Sequence, residues 1–230
     1  MKLTKFTIAV ATTTVISANA FASSIDFRHE YKSDSKQHAS RVKMATTFEN
    51  NLSVDVELKF KGDDGKFMQD LQNNGSEIGI NYKHTINSEW AIQPGMPIEF
   101  GDNGATYKPQ LRLTYTPGGI DNLSLSGRYR LDIKPGQSTD TVDNKYRDRY
   151  TFNAGYKIDN LSLGLEMNYY KSHDSSYKLY DGKDSNYENN LTASYQVGDW
   201  TPWIEFGDVQ VNNYSDDREL RSRVGIRYSF

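Results

Sequence analysis

Arginine is the residue type whose spacing in this chain most directly indicates a chemistry. Between residues 123 and 158, arginines occur in two pairs at alternate positions, Arg128 with Arg130 and Arg147 with Arg149. A guanidinium group stays charged and binds a carboxylate through two parallel hydrogen bonds. Because side chains alternate across a β-strand, the two members of each pair share one face. The spacing therefore predicts a surface that attracts carboxylate-bearing anions.

The same polar phase carries basic residues in most other segments of the chain. The residues that we predict to line a pore and to contact its substrate are Arg28, Arg41, Lys43, Lys59, Lys108, Arg112, Arg128, Arg130, Arg147, Arg149, Arg221, Arg223 and Arg227. Fewer acids share this phase, so a chain with a formal net charge of −3 has a basic interior. Rows of fixed cations in a low-dielectric wall concentrate anions. The alternative is that each arginine pairs with a lumen acid and only keeps the pore open.

Other chemistries have weaker support in the sequence. His173, Asp174 and Ser175 have the His-x-Ser spacing of a general base near a hydroxyl, as a barrel hydrolase would need. They fall in a long polar segment with no orienting third group, so we predict that the protein is not an enzyme. The sequence contains no phosphate-binding glycine loop or metal-ligand motif, and we expect no cofactor. Its negative charge argues against nucleic acid as a partner.

The elements that position these residues are short segments of alternating polarity. Leu52, Val54, Val56, Leu58 and Phe60, for example, alternate without a break with polar residues. Such alternation is typical of half-buried strands. Twelve segments follow this pattern, at residues 24–31, 38–48, 52–60, 76–84, 89–100, 106–116, 123–134, 146–158, 161–171, 187–197, 200–206 and 218–230.

The connections between these segments alternate between long and short. Short ones are expected near residues 50, 86, 119, 160 and 199, and longer ones near 34, 68, 103, 139, 179 and 212. This alternation and the even strand number are typical of an all-β, transmembrane antiparallel barrel with short periplasmic turns and longer extracellular loops. The mean hydropathy of −0.76 does not exclude a membrane barrel, because only alternate residues must be apolar. A soluble β-sandwich or lipocalin-like barrel is the alternative.

The first residues of the chain predict export. Lys2 and Lys5 precede an apolar stretch from Phe6 to Ala18, and 20–22 reads Ala-Phe-Ala. This order is that of a secretory signal peptide cut after Ala22. We therefore expect residues 1–22 to be a signal peptide and residues 23–230 to form the barrel.

Several stretches resemble the KdgM family of oligogalacturonate-specific porins. They are the opening 24–31 (Ser-Ile-Asp-Phe-Arg-His-Glu-Tyr), residues 37–43, residues 90–100 with Pro94-Gly95, where we predict a bulge or kink, the two arginine pairs, and 223–228 before the terminal Phe230. The resemblance implies a monomeric outer-membrane barrel with an arginine-lined pore for acidic oligosaccharides from pectin. A sister branch that passes sialic acid is the alternative substrate class. The resemblance also implies contact with outer-membrane lipid and lipopolysaccharide, and recognition of Phe230 by the barrel-insertion machinery.

Overall fold

A computed structural model describes residues 20–62, 67–102, 104–136 and 144–230 of the chain. The predicted signal peptide lies outside these residues except for 20–22, which extend the first strand. No helix in the described part of the chain is long and apolar enough to cross a membrane.

The described residues form fifteen strand segments. They are β1 (Ala20–Lys32), β2 (His38–Phe48), β3 (Leu52–Lys61), β4 (Gln72–Tyr82), β5 (His84–Thr85), β6 (Trp90–Gly95), β7 (Ile98–Gly101), β8 (Gly104–Tyr107), β9 (Gln110–Tyr115), β10 (Leu123–Lys134), β11 (Lys145–Ile158), β12 (Leu161–Ser172), β13 (Ser185–Tyr195), β14 (Trp200–Gln210) and β15 (Arg218–Ser229).

These segments make twelve barrel strands, because three of the strands are interrupted. β5 continues β4, β6 and β7 form one strand, and β8 and β9 form another. All neighbours pair antiparallel, and β1 pairs with β15 from Ser24↔Ser229 to Lys32↔Arg221, which closes the ring. The amide of Phe230 donates to the Ser23 carbonyl at 2.9 Å, and the Phe230 carbonyl accepts from the Ser23 amide at 3.1 Å, so the seam extends to Phe230. The predicted twelve-stranded antiparallel barrel is confirmed.

The apolar phase of the strands faces outward. Large apolar side chains such as Phe27, Met44 and Leu191 remain 38 to 62% exposed to the barrel's surroundings. The polar phase faces inward, as contacts that skip a strand show. Trp203 on β14 donates to Asp26 on β1 at 3.0 Å across β15. Such contacts require the concave side of a closed sheet, where side chains converge. The barrel therefore has a polar interior and an apolar exterior, as a membrane barrel does.

Some strand boundaries differ from the prediction. The interruption expected at Pro94-Gly95 lies instead at Pro97, and a second one lies at Pro109, because proline has no amide hydrogen for the ladder. β4 begins at Gln72 instead of Ser76. β14 continues to Gln210, past the predicted end at Phe206, because Gly207 lies beneath side chains of the neighbouring strands and does not start a turn.

The connections fall into two sets at opposite ends of the barrel. One end, the short-turn end, carries 49–51, 86–89, 116–122, 159–160 and 196–199. The other, the loop end, carries 33–37, 67–71, 102, 135–136 and 173–184 with 211–217, while residues 63–66, 103 and 137–143, in three of the predicted longer connections, lie outside the described residues. The connection at 102–103 is only two residues long, shorter than predicted, because β7 and β8 pair up to Gly101↔Gly104. Both described termini lie at the short-turn end.

Candidate functional site: a basic lumen

The structure brings all thirteen predicted basic residues to the inner face of the barrel. They alternate with exposed apolar residues along their strands, as Arg128 and Arg130 do on either side of Tyr129, which is 43% exposed. Lys108 lies at the interruption between β8 and β9 and is 5% exposed. Whether these residues contact a substrate is a proposal that we develop below.

Ten of the thirteen are within 4.0 Å of a carboxylate oxygen. They are Arg41, Lys43, Lys59, Lys108, Arg130, Arg147, Arg149, Arg221, Arg223 and Arg227. For these residues, the prediction that lumen arginines pair with acids describes the geometry well. Their charges are largely compensated in place.

The pairs are densest on β1 to β4. Arg41 contacts Asp26 at 2.6 Å and Glu57 at 3.3 Å, and Lys43 contacts Asp55 at 2.8 Å. The predicted pore residues of this part are Arg28, Arg41, Lys43 and Lys59, and the inward acids are Asp26, Glu30, Asp55, Glu57 and Glu77. We call this set the balanced wall. Acids and bases interleave there, so the wall is held together by ion pairs.

Three predicted residues have no such partner. Within the described residues, no carboxylate oxygen lies within 4.0 Å of Arg28, Arg112 or Arg128. Arg112 donates instead to the Ser126 hydroxyl at 2.9 Å. Arg128 donates to the Thr151 hydroxyl at 3.1 Å. The guanidinium groups of Arg112 and Arg128 are thus positioned by neutral oxygens and have no carboxylate to compensate their charge.

Two of the three belong to a region rich in arginine on β9, β10 and β11. Its inward arginines are Arg112, Arg128, Arg130, Arg147 and Arg149, and Asp132 is the inward acid on the same three strands within the described residues. We call this set the arginine wall. The strand pairing places Arg112 opposite Arg128, and Arg130 opposite Arg149. Like charges directly opposite each other are unfavourable, so this arrangement is not explained by stability.

The two walls face each other. β1 and β10 are six barrel strands apart in a ring of twelve, and a ring of that size places them on opposite sides. A cavity of about 330 Å³ extends between the walls. Its lining residues are Lys43, Asp55, Glu77, Asn81, Gln93, Pro97, Gln110, Arg112, Arg128 and Arg130. A carboxylate in this cavity would meet the uncompensated pair Arg112 and Arg128.

Two aromatic residues that also face the lumen, Tyr170 and Trp203, were not among the predicted pore-lining residues, although the alternation of its strand predicts that Tyr170 points inward. Tyr170 on β12 is 8% exposed, and the guanidinium groups of Arg147 and Arg149 each lie 5.1 Å from the centre of its ring. Trp203 on β14 donates to Asp26. Both stand on the polar phase of an otherwise alternating strand, and that position was the signal that could have identified them.

The hydrolase arrangement is not assembled. His173 contacts Asp148 at 2.8 Å at the loop end, and no hydrogen bond joins it to Ser175 in the described part of the chain. The pKa of the Asp174 carboxyl is lowered by hydrogen bonds from the hydroxyl and amide of Ser176. Asp174 is therefore ionised and engaged with the loop and does not orient His173.

Comparison with known proteins gives a consistent result. Residues 16–230 match the family described as oligogalacturonate-specific porin protein (KdgM). The chain is 37% identical over 219 residues to the uncharacterized protein YiiY of Salmonella typhimurium, covering 94% of each chain. It is 31% identical over 240 residues to the oligogalacturonate-specific porin KdgM of Dickeya dadantii, covering 100% of both. It is 24% identical over 218 residues to the N-acetylneuraminic acid channel NanC of Escherichia coli, covering 90% of both.

Solved structures agree with the fold. The NanC porin superposes with a TM-score of 0.76 at 22% identity, covering 89% of this chain and 98% of that one. The KdgM porin superposes with a TM-score of 0.67 at 27% identity, covering 90% and 99%. The sequence relatives named for a function, KdgM and NanC, are both channels.

Proposed function

Since this chain belongs to the family of oligogalacturonate-specific porins, we propose that it is a passive outer-membrane channel for acidic oligosaccharides, with oligogalacturonates as its principal substrates. The observation that supports this substrate class is the set of arginines without a carboxylate partner, Arg28, Arg112 and Arg128. An uncompensated guanidinium in a narrow, partly desolvated lumen attracts a carboxylate more strongly than one already paired.

The hydroxyl partners of these arginines suit them to reversible binding. Ser126 and Thr151 accept single hydrogen bonds from Arg112 and Arg128 and fix the direction of each guanidinium. A passing carboxylate can use the remaining N–H groups without separating an existing ion pair. Conduction requires sites that bind well enough to admit the solute but release it readily. We infer that Arg112 and Arg128 provide two such sites on the arginine wall.

The spacing of the arginine wall favours an oligomer over a single small anion. Arg128 and Arg130 on β10, and Arg147 and Arg149 on β11, form two parallel rows inside the barrel. A chain with one carboxylate on each sugar can hold one guanidinium while it engages the next. Release from each site is then compensated by binding at its neighbour, so the chain moves without full dissociation.

A second candidate is sialic acid, also a carboxylate-bearing sugar. The NanC relative, named for N-acetylneuraminic acid, matches over 90% of this chain. Uncompensated arginines alone do not distinguish a galacturonate carboxylate from a sialate carboxylate. We place oligogalacturonate first because the relative named for it is 31% identical over its whole length.

The membrane context completes the proposal. Cleavage after Ala22 would release a barrel whose short-turn end faces the periplasm, monomeric and surrounded by lipid, with lipopolysaccharide in the outer leaflet. At the short-turn end, outward aromatic pairs such as Trp90 with Tyr115, 4.5 Å apart, suit a membrane interface. We expect the exposed terminal Phe230 to be read by the barrel-insertion machinery.

The experiment that tests the proposal is conductance across a planar lipid bilayer. We expect a reversal potential that indicates anion preference in a potassium chloride gradient, and partial block by galacturonate oligomers added to one side. Neutral maltose oligomers of matched length are the control and should leave the current unchanged. Cation preference would contradict the arginine-based mechanism. Block by sialic acid but not by oligogalacturonate would favour the second candidate.

A further inference from the structure

Trp203 is the tryptophan of this barrel that faces inward. The chain has three tryptophans. Trp90 and Trp200 lie on the outer face and stack with Tyr115 and Tyr228, as girdle residues do. Trp203 stands on the polar phase of β14, facing a mainly polar lumen, and is partly accessible. An indole in that position has no role in the membrane interface.

The indole is held in place from two directions. Its Nε1–H donates to Asp26 at 3.0 Å. Gly225 on β15 lies directly opposite Trp203 in the strand register, and a Cβ at that position would collide with indole atoms Cε2 and Cζ2. The glycine therefore leaves the space that the ring occupies against the wall. Both contacts fix the ring where it lines the lumen.

An arginine without a carboxylate partner comes next in the same row. Gly225 pairs with Arg28 across the β15–β1 ladder, so Trp203, Gly225 and Arg28 occupy one row on three successive strands. The Cα atoms of Trp203 and Arg28 are about 10 Å apart at ordinary strand spacing. Because the indole extends over Gly225, it fills the gap toward the guanidinium. Within the described residues, no carboxylate oxygen lies within 4.0 Å of Arg28.

Asp26, the acid that holds the indole, does not compensate the charge of Arg28. Asp26 accepts from Arg41 at 2.6 Å as well as from Trp203, and Arg227 lies 3.5 Å from it. Its carboxylate is therefore fully engaged. Arg28, which has no carboxylate partner in the described residues, remains available to a negatively charged ligand beside the indole.

We propose that Trp203 and Arg28, with Gly225 between them, form a stacking subsite for the ring of a uronic acid. This inference rests on the proposed function and specifies how the lumen recognises its substrate. A galacturonate ring has one face of C–H groups, which packs on an aromatic ring, and a carboxylate at its edge, which a guanidinium binds. A small or acyclic anion can use Arg28 alone. The subsite therefore selects cyclic sugar acids from other anions of equal charge.

The test compares two dicarboxylates of equal charge, digalacturonate and acyclic adipate, as blockers of the bilayer current. We expect the substitution Trp203→Leu to weaken block by digalacturonate about three- to tenfold, as the loss of one aromatic contact would. Block by adipate and the reversal potential should stay as in the unmodified protein. Trp203→Phe should retain most of the digalacturonate block, because a ring remains. Gly225→Ala should weaken it, because the added methyl group displaces the indole.

Each result has a distinct meaning. If the unmodified channel is blocked by neither acid, the proposed function fails, and this subsite fails with it. If it is blocked by both but Trp203→Leu changes the two blocks equally, or changes neither, the channel stands and the stacking subsite is wrong. If Trp203→Phe loses as much block as Trp203→Leu while Gly225→Ala is neutral, the indole N–H only positions Asp26, and the proposal is also overturned.

Discussion

The two walls of the lumen carry similar numbers of cations but differ in how those charges are held. On the balanced wall, Arg41 lies between Asp26 and Glu57, and Lys43 contacts Asp55. On the arginine wall, Arg112 and Arg128 face each other across one strand pair and are held by hydroxyl groups. The comparison indicates a division of roles. One wall uses charge to hold the strands together, and the other keeps charge available to a solute.

The difference arises from which residue types the strand register brings together. On β1, β2 and β3, Lys43 lies opposite Asp26 and Glu57. Arg41 lies opposite Arg28 and Lys59 but reaches Asp26 and Glu57 diagonally, so its charge is compensated. β9 and β10 place arginine opposite arginine, and Ser126 and Thr151 supply neutral acceptors nearby. Opposite like charges are unfavourable, and selection for stability alone would remove them. A bound substrate carboxylate would supply the missing negative charge and offset the repulsion between the two arginines.

The largest effect should come from a single change on the balanced wall. Arg41→Ser would leave Asp26 and Glu57 without their shared partner, although both are largely buried. Removing one partner from a buried ion pair is strongly destabilising, and we expect a loss of about 3 kcal/mol in the free energy of unfolding. Urea unfolding of the refolded barrel measures it. Arg128→Ser is the matched control and should cost less than about 1 kcal/mol, because it separates no ion pair. If the two variants lost the same free energy of unfolding, the two walls would not differ in how ion pairs contribute to stability.

The next largest effect concerns ion selectivity, and here we expect changes on the arginine wall to have the larger effect. The double change Arg112→Ser with Arg128→Ser removes two uncompensated charges, so we expect most of the anion preference to disappear. The reversal potential in a salt gradient measures this. The control removes an ion pair of the balanced wall, Lys43→Gln with Asp55→Asn, and should leave the reversal potential close to its original value. Selectivity lost in the control but retained in the double variant would show that the basic excess is not concentrated on the arginine wall.

Much of this fold could be predicted from the sequence because, along a barrel strand, the alternation of polar and apolar residues shows which side chains face the lumen and which face outward. The alternation in Leu52–Phe60 or Leu161–Lys171 identifies both the strand and its inner face. Strand boundaries were less predictable at prolines, because a proline can lie within a strand or interrupt it. Pro94 lies within β6, whereas Pro97 interrupts the strand, and nothing in either residue alone distinguishes the two positions.

The candidate site was less predictable than the fold. The sequence places all thirteen basic residues on the polar phase, but pairing depends on which acid each one reaches across one or two strands. Lys59, for example, donates to Glu99 at 2.6 Å across β4. The register and the curvature of the barrel determine such contacts. For the same reason, the sequence could not show that Arg28, Arg112 and Arg128 would lack a carboxylate partner.

Arg28 sharpens the comparison because it is an uncompensated arginine on the balanced wall. The strand register places it opposite Arg41, whose own charge is taken up by Asp26 and Glu57. We expect Arg28→Ser to reduce anion preference by less than the Arg112 and Arg128 double change, and by more than the Lys43 and Asp55 control. Reversal potentials of the three variants under one salt gradient give the order. If Arg28→Ser reduced anion preference as much as the double change, ion selectivity would depend on β1 as strongly as on the arginine wall.

The smallest effect we predict is the response of these differences to salt. The screening length falls from about 10 Å at 0.1 M to about 3 Å at 1 M ionic strength. Arg112 and Arg128 act on a passing ion through the open lumen, so high salt should bring the reversal potential of the unmodified channel toward that of the double variant. The ion pairs of Arg41, at 2.6 and 3.3 Å, are direct contacts between largely buried side chains, which salt screens much less than exposed charges. The stability lost in Arg41→Ser should therefore change little between the two salt concentrations. Unfolding and reversal potentials measured at both concentrations test this contrast. If high salt reduced the stability loss of Arg41→Ser as strongly as it reduced anion preference, the ion pairs of the balanced wall would be as exposed to solvent as Arg112 and Arg128, and the distinction between the walls would be wrong.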